Sequence, residues 1–76
     1  MNYDLAMMAL EGLATAPMSI RTENGELHIS GTPASFKELA RLCLLLGSAQ
    51  NDEDAFELQP GVHVDGGSMK LVLRAT

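Results

Sequence analysis

The apolar residues of this chain recur first at a helical period, then at a two-residue alternation, and then repeat both patterns. Residues 4–15 predict a short helix with Asp4 at its N-cap. The expected buried face holds four residues: Leu5, Met8, Ala9 and Leu13. Met7 and Leu10 lie beside this stripe, so the apolar surface is broader than one packing face needs. The first helix is therefore expected to pack on the core or at a dimer interface.

A β-hairpin is predicted for the segment MSIRTENGELHIS, residues 18–30. Asn24-Gly25 lies between two alternating runs, and this pair favours the positive φ angles of a type I′ turn. Met18 and Ile20 share the apolar parity, which Leu27 and Ile29 continue after the turn. The other parity is polar.

A second helix is predicted for TPASFKELARLCLLLG, residues 32–47. Thr32 can cap the free amides, Pro33 suits the first helical position, and Gly47 suits the C-terminal stop. The predicted buried face holds Phe36, Leu39, Ala40, Cys43 and Leu46. Further leucines beside this face widen the apolar surface.

After a polar, acidic loop, the alternation returns from residue 55 onward. Pro60-Gly61 is expected to break or bulge the strand, and Gly66-Gly67 permits a tight turn. The apolar parity comprises Phe56, Leu58, Val62 and Val64, followed by Met69, Leu71 and Leu73. Two strands, separated by the turn at 66–67, are therefore predicted.

These elements predict an α+β fold, a two-layer sandwich with the order α-β-β-α-β-β. The strands should form one small mixed sheet, with helix 33–46 on its apolar face and the other face exposed to solvent. The crossover between parallel strands should be right-handed. A chain of 76 residues is expected to build a single domain over residues 1–76, including the helical segment 1–16.

The amino-acid composition argues against two classes of binding partner, nucleic acids and membranes. Ten acidic and five basic residues give a net charge of −5, which disfavours binding to nucleic acids and anionic membranes. The chain has no apolar run of the ~18 residues that a membrane span requires. Asp4 and Glu11 argue against a signal peptide before the Ala14-Thr15-Ala16 triplet. We expect a soluble, cytoplasmic protein.

The stretch PGVHVDGG, residues 60–67, is the most suggestive polar motif. His63 and Asp65 should leave the same face of a strand, the polar face that also carries His28. These are suitable ligand types for zinc. However, no ligand spacing connects His28 to the pair, and Lys70 and Arg74 would repel a cation. The preferred interpretation is a solvated sheet face recognised by a partner, with no metal or other cofactor.

The sequence also argues against an enzyme. Cys43, the only cysteine, lies on the predicted buried face of the second helix and is expected to be a small core residue. Its thiol would then lack the exposed, electropositive setting of a nucleophile. Motifs for calcium loops, phosphate-binding loops and serine nucleophiles are absent.

Two surfaces are therefore candidates for binding a protein partner. An acidic segment at 52–57 would suit a basic partner through charge complementarity. Its residues are Asp52, Glu53, Asp54 and Glu57. The polar sheet face offers Arg21, His28, His63 and Asp65. The alternative function is a homo-oligomeric assembly domain, whose dimer contact would include Met7 and Leu10.

The layout LHISGTPASFKELARLCLLLG…HVDGG…KLVLRA resembles the immunity protein 32 family of bacterial polymorphic toxin systems. The shared features are a strand, a Gly-Thr helix start, a Leu-rich helix, a short HxD-like strand and a final alternating strand. The resemblance covers about residues 18–75. It implies a non-enzymatic bacterial protein that binds and neutralises a toxin. The segment 1–16 has no counterpart in this pattern.

Overall fold

The computed structural model describes residues 3–48 and 55–76 of the chain. It contains two helices and four strands in the predicted order, which confirms the α+β class. The elements are α1 (Tyr3–Thr15), β1 (Ser19–Glu23), β2 (Glu26–Ser30), α2 (Pro33–Gly47), β3 (Ala55–Leu58) and β4 (Leu71–Arg74). Asp4, the predicted N-cap, lies inside the first turn of α1.

The β1–β2 hairpin forms as the sequence predicts. Asn24 and Gly25 have φ angles of 52° and 78°, both in the left-handed region that a type I′ turn requires. Glu23 pairs with Glu26, so the loop contains two residues. Ile20 pairs with Ile29, which directs two β-branched side chains to the same face of the hairpin.

The strands form two separate antiparallel ladders, β1–β2 and β3–β4, where the sequence led us to expect one mixed sheet. The parallel pairing expected between the two halves is reduced to a single bridge, Met18 with Val64. The reason is the fold of residues 59–64. The Gln59 carbonyl accepts hydrogen bonds from three successive N–H groups, and Gly61 has a φ of 80°. Because residues 59–64 are folded into turns, only Val64 of this segment pairs with Met18.

This turn also corrects the predicted strand that would carry His63 and Asp65 on one face. Residues 61–63 are in a turn, and Val62 is exposed whereas Val64 is fully buried. Three residues that share the predicted apolar parity are exposed: Leu27, Val62 and Met69. The turn at Gly66-Gly67 is confirmed, since the Ser68 N–H donates to the Asp65 carbonyl at 3.0 Å.

The start of α2 is confirmed in detail. Thr32 is the N-cap and its hydroxyl accepts from the Ser35 N–H at 3.1 Å, while Pro33 occupies the first turn. Ser35 is fully buried, and its hydroxyl donates to the Ala16 carbonyl just after α1 at 2.7 Å. The end differs from the prediction, because Gly47 is the last helical residue and Ser48 is the C-cap.

The buried face of α2 is rotated by about a quarter turn from the predicted one. Leu42 and Ser35 are buried, and Leu39, Leu45 and Leu46 are half-buried. The predicted core residues Phe36, Ala40 and Cys43 are exposed. Leucines follow two overlapping stripes, and the stripe that includes the polar Ser35 is buried because the Ser35 hydroxyl has the Ala16 carbonyl as its partner.

The face of α1 is also shifted from the prediction. Ala6, Ala9 and Leu13 are buried, whereas Leu5 and Met8 are exposed. Small residues on the inner face let α1 approach the rest of the molecule closely. At Gly12 a Cβ atom would lie 2.7 Å from the Cδ of Glu38 on α2. Helix–helix contact of this kind displaces the larger apolar side chains of α1 outward.

One hydrophobic core is shared by both helices and both ladders. Its buried members are Ala6, Ala9, Leu13, Met18, Ile20, Leu42, Phe56, Leu58 and Val64. Half-buried leucines from α2 and β4 pack against this cluster. The described part of the chain contains no buried side-chain nitrogen or oxygen atom without a hydrogen-bond partner.

The rotation of α2 can be tested at two adjacent positions. Leu42→Ala is expected to lower the free energy of unfolding by about 2–5 kcal/mol, because it leaves a cavity in the core. Cys43→Ala is expected to change it by less than about 0.5 kcal/mol, because Cys43 is exposed. Urea denaturation of both variants measures this difference. A larger loss for Cys43→Ala than for Leu42→Ala would contradict the observed rotation and support the buried face expected from the sequence.

Candidate protein-binding surfaces

Two surfaces of the described residues are candidates for recognition, and the first lies along the outer edge of β1. Residues 63–68 run beside this edge. The Met18 N–H donates to the His63 carbonyl at 3.1 Å, and the Asp65 N–H donates to the Met18 carbonyl at 2.8 Å. Further along, the Ile20 N–H donates to the Ser68 hydroxyl oxygen at 2.8 Å. We call this contact between β1 and residues 63–68 the edge junction.

Asp65 is the centre of the polar groups at the edge junction. The Ser68 hydroxyl donates to Asp65 Oδ1 at 2.7 Å, and Arg21 Nη2 lies 3.7 Å from Asp65 Oδ2. Arg21 Nε donates in turn to the Ser19 hydroxyl oxygen at 3.0 Å. The hydrogen bond from Ser68 is the largest cause that lowers the pKa of Asp65, followed by one from Ser19, with the Arg21 charge also lowering it. A carboxylate held by several donors favours its charged form.

The two histidines have different surroundings. His28 lies opposite Arg21 in the hairpin register, and its Nε2 is 3.2 Å from Glu26 Oε1. His63 is half-buried, and its Nδ1 accepts the Gln59 N–H at 3.1 Å. This hydrogen bond requires an unprotonated Nδ1, so neutral His63 carries its proton on Nε2. The structure thus places Arg21 and His28 side by side, with Asp65 close to Arg21, and uses His63 to hold a loop.

No metal centre is assembled in the described residues. Residues 3–48 and 55–76 contain no group of three or more His, Cys, Asp or Glu side chains arranged to hold a metal ion. Glu57, a candidate from the acidic segment, is 3.2 Å from Lys70 Nζ and accepts from Gln59 Nε2 at 3.3 Å. Asp52, Glu53 and Asp54 lie outside the described residues.

The second surface is an apolar groove between α1 and α2. Its volume is about 480 Å³. The residues that line this helix groove are Leu5, Met8, Arg41, Leu44, Leu45 and Ser48. Met8 is 65% exposed and Leu44 is 72% exposed. Arg41 lines the groove, and its guanidinium pairs with Glu38. Contiguous exposed apolar side chains are a feature of interaction sites, so the helix groove is a candidate for one.

Sequence reasoning did not identify the helix groove. One feature of the sequence could have indicated it: both helices have more apolar residues than one buried face can hold. The candidate dimer contacts Met7 and Leu10 belong to the other flank of α1. Met7 is 57% exposed, whereas Leu10 is half-buried against the core. The exposed Cys43 lies on α2 away from the lining of the groove.

Comparison with family models, curated proteins and solved structures found no match for this chain. Among the described residues, neither helix is both long enough and apolar enough to cross a membrane. The edge junction and the helix groove are therefore the features of the described residues that bear on function.

Ser68→Ala tests the edge junction. The substitution removes the acceptor of the Ile20 N–H and a donor to Asp65, so we expect the free energy of unfolding to fall by about 1–3 kcal/mol. Ser30→Ala, at an exposed position in β2, is the matched control and should change it by less than about 0.5 kcal/mol. Thermal or urea denaturation measures both losses. Equal losses for the two variants would show that the hydrogen bonds of the Ser68 hydroxyl do not stabilise the fold.

The lowered pKa of Asp65 gives the edge junction a pH dependence. Because its folded-state pKa lies below the unfolded value, the carboxylate stabilises the fold above the unfolded pKa. That contribution is lost as the pH falls through the lowered, folded-state pKa. The stability difference between the wild type and Asp65→Asn should therefore be larger at pH 7 than at pH 3. Urea denaturation across this range measures it, with Glu23→Gln as control, and a difference independent of pH would contradict the assignment.

Proposed function

We propose that this chain is a non-catalytic protein-binding domain, and that the helix groove is its main contact surface. The observation that carries the proposal is the exposure of Met8 and Leu44 across an apolar groove between two packed helices. Burying such side chains against a partner removes apolar area from water, which is the dominant favourable contribution to most protein association. The Arg41 guanidinium that lines the groove supplies a polar contact that fixes orientation.

The shape of the groove suits a protein partner. Packing α1 against α2 gives a firm base, since Ser35 ties the two helices together through the Ala16 carbonyl. The methionine lining is adaptable, because an unbranched thioether chain fits irregular surfaces. Apolar side chains of a partner helix or loop could then enter between Leu5 and Leu44.

The non-catalytic part of the proposal is supported by how the polar side chains are used. Asp65 accepts from Ser68, and His63 accepts from the Gln59 N–H, so both side chains hold the local backbone in place. Groups engaged in this way are less available for proton transfer with a substrate. Cys43 is a free cysteine on the exposed surface of α2.

The resemblance to immunity proteins adds a specific form of the proposal. In that form the domain acts in the bacterial cytoplasm and neutralises a toxin by binding it. A basic toxin is favoured because the chain has a net charge of −5 and charge complementarity accelerates association. The acidic residues Asp52, Glu53 and Asp54 would then contribute to steering the partner.

Met8→Asp tests the proposal. The tagged chain is expressed at low level in its native host, and the proteins that elute with it are identified and quantified by mass spectrometry. The wild type should retain a stoichiometric partner, and Met8→Asp should reduce its yield about tenfold or more, because a charge in the groove must be desolvated on binding.

Met69→Asp is the matched control, because Met69 is a half-exposed methionine outside the groove. It should leave the partner bound. Circular dichroism of both variants checks that they remain folded. Retention of the partner by Met8→Asp, or its equal loss from Met69→Asp, would contradict the groove as the contact surface.

A further inference from the structure

We infer that the partner in the helix groove is a second copy of this chain, with α1 of each protomer lying across α2 of the other. This inference rests on the proposed function, because it takes the groove to be a protein-binding surface. It is carried by the distribution of charge on the outer sides of the two helices and by the size of the face that they form.

The two helices are antiparallel and their register is defined by contacts. Ala16, just after α1, bonds to Ser35 near the start of α2, and Gly12 lies against Glu38. At the other end, Leu5 shares the groove with Ser48. Glu11 is therefore level with the part of α2 between Lys37 and Arg41.

The outer sides of the helices carry opposite charges. Asp4 and Glu11 are seven residues apart, so they lie on the same side of α1, and both are exposed. Lys37 and Arg41 are four residues apart on α2, and both are exposed. The outer side of α1 is thus acidic. On α2, Lys37 adds a positive charge, whereas the Arg41 guanidinium lines the groove and pairs with Glu38.

Two of the face-to-face arrangements that two-fold symmetry permits keep the helices of the two protomers aligned with each other. With the axis across the helices, each helix meets its own copy, and acidic residues would face acidic residues. With the axis along the helices, α1 of one protomer covers α2 of its partner at the same level. The second arrangement places Glu11 beside the partner's Lys37. Opposite charges then meet on both sides of the axis, so the face is complementary to itself.

The size of the face suits a weak dimer. α1 has 13 residues, which makes it about 20 Å long, and two packed helices side by side are about 20 Å wide. Such a face covers about 400 Å² per partner, or about 800 Å² in total, which is in the range of weak, transient interfaces. Met8 and Leu44 would lie near its centre, where apolar residues contribute most to affinity.

Charge exchange across the interface tests this inference. Sedimentation equilibrium should show the wild type dimerising as its concentration rises. Glu11→Lys and Lys37→Glu should each raise the dimer Kd about tenfold or more, because each places like charges face to face twice in the symmetric dimer. The double variant Glu11→Lys/Lys37→Glu should restore the Kd to within about threefold of the wild type.

Glu23→Lys, which changes charge at the exposed tip of the hairpin, is the control and should leave the Kd unchanged. Circular dichroism of each single variant checks that it remains folded. A wild type that stays monomeric at concentrations on the order of 1 mM would overturn the inference. Single variants with an unchanged Kd would also overturn it. So would a Glu11→Lys variant that dimerises more tightly, because that result would favour the arrangement in which α1 meets its own copy.

The two proposals can fail separately. A monomeric wild type that still retains a different protein, lost in Met8→Asp, would overturn self-association and leave the protein-binding function standing. Loss of both the dimer and every retained protein would overturn the two together.

Discussion

The fold depends on the hydrogen bonds that attach residues 63–68 to the free edge of β1. A two-stranded hairpin alone is marginally stable in water, and its outer edge exposes unpaired backbone groups. At the edge junction Met18 uses both its N–H and its carbonyl, and Ile20 donates to Ser68. The same contact brings Val64 into the core beside Met18. One short segment therefore satisfies an edge and joins two otherwise separate ladders.

The helices depend on a comparable link at Ser35. This buried hydroxyl accepts the Thr32 O–H because its own proton is given to the Ala16 carbonyl, so one side chain serves the start of α2 and the end of α1. Close packing follows, with Ala6 and Ala9 facing inward. The consequence appears on the outside, because the larger apolar side chains of both helices cannot all reach the core. The helix groove is thus a product of how the core packs.

Local signals in the sequence were reliable, and long-range ones were not. Asn24-Gly25 and Thr32-Pro33 act on backbone within a few residues, so the turn and the helix start could be predicted. The rotation of α2 could not, because leucines occupy two overlapping stripes and the choice depends on a distant acceptor for Ser35. The division of the sheet depends on turns around the Gln59 carbonyl. For the same reason the shared polar face of Arg21 and His28 could be foreseen, whereas the helix groove, which needs two helix rotations, could not.

The edge junction and the helix groove differ in how many side chains are still available to contact a partner. At the edge junction Asp65 and His63 already have hydrogen-bond partners, so binding there must exchange existing contacts for new ones and gains little net free energy. In the helix groove Met8 and Leu44 face water, and covering them gains free energy without breaking an internal contact. Beside the groove lie Glu11 on α1 and Lys37 on α2, and a bound partner would need charges that match this order. The helical side therefore offers the exposed apolar surface on which the proposed binding depends, while the strands and the edge junction hold that side in shape.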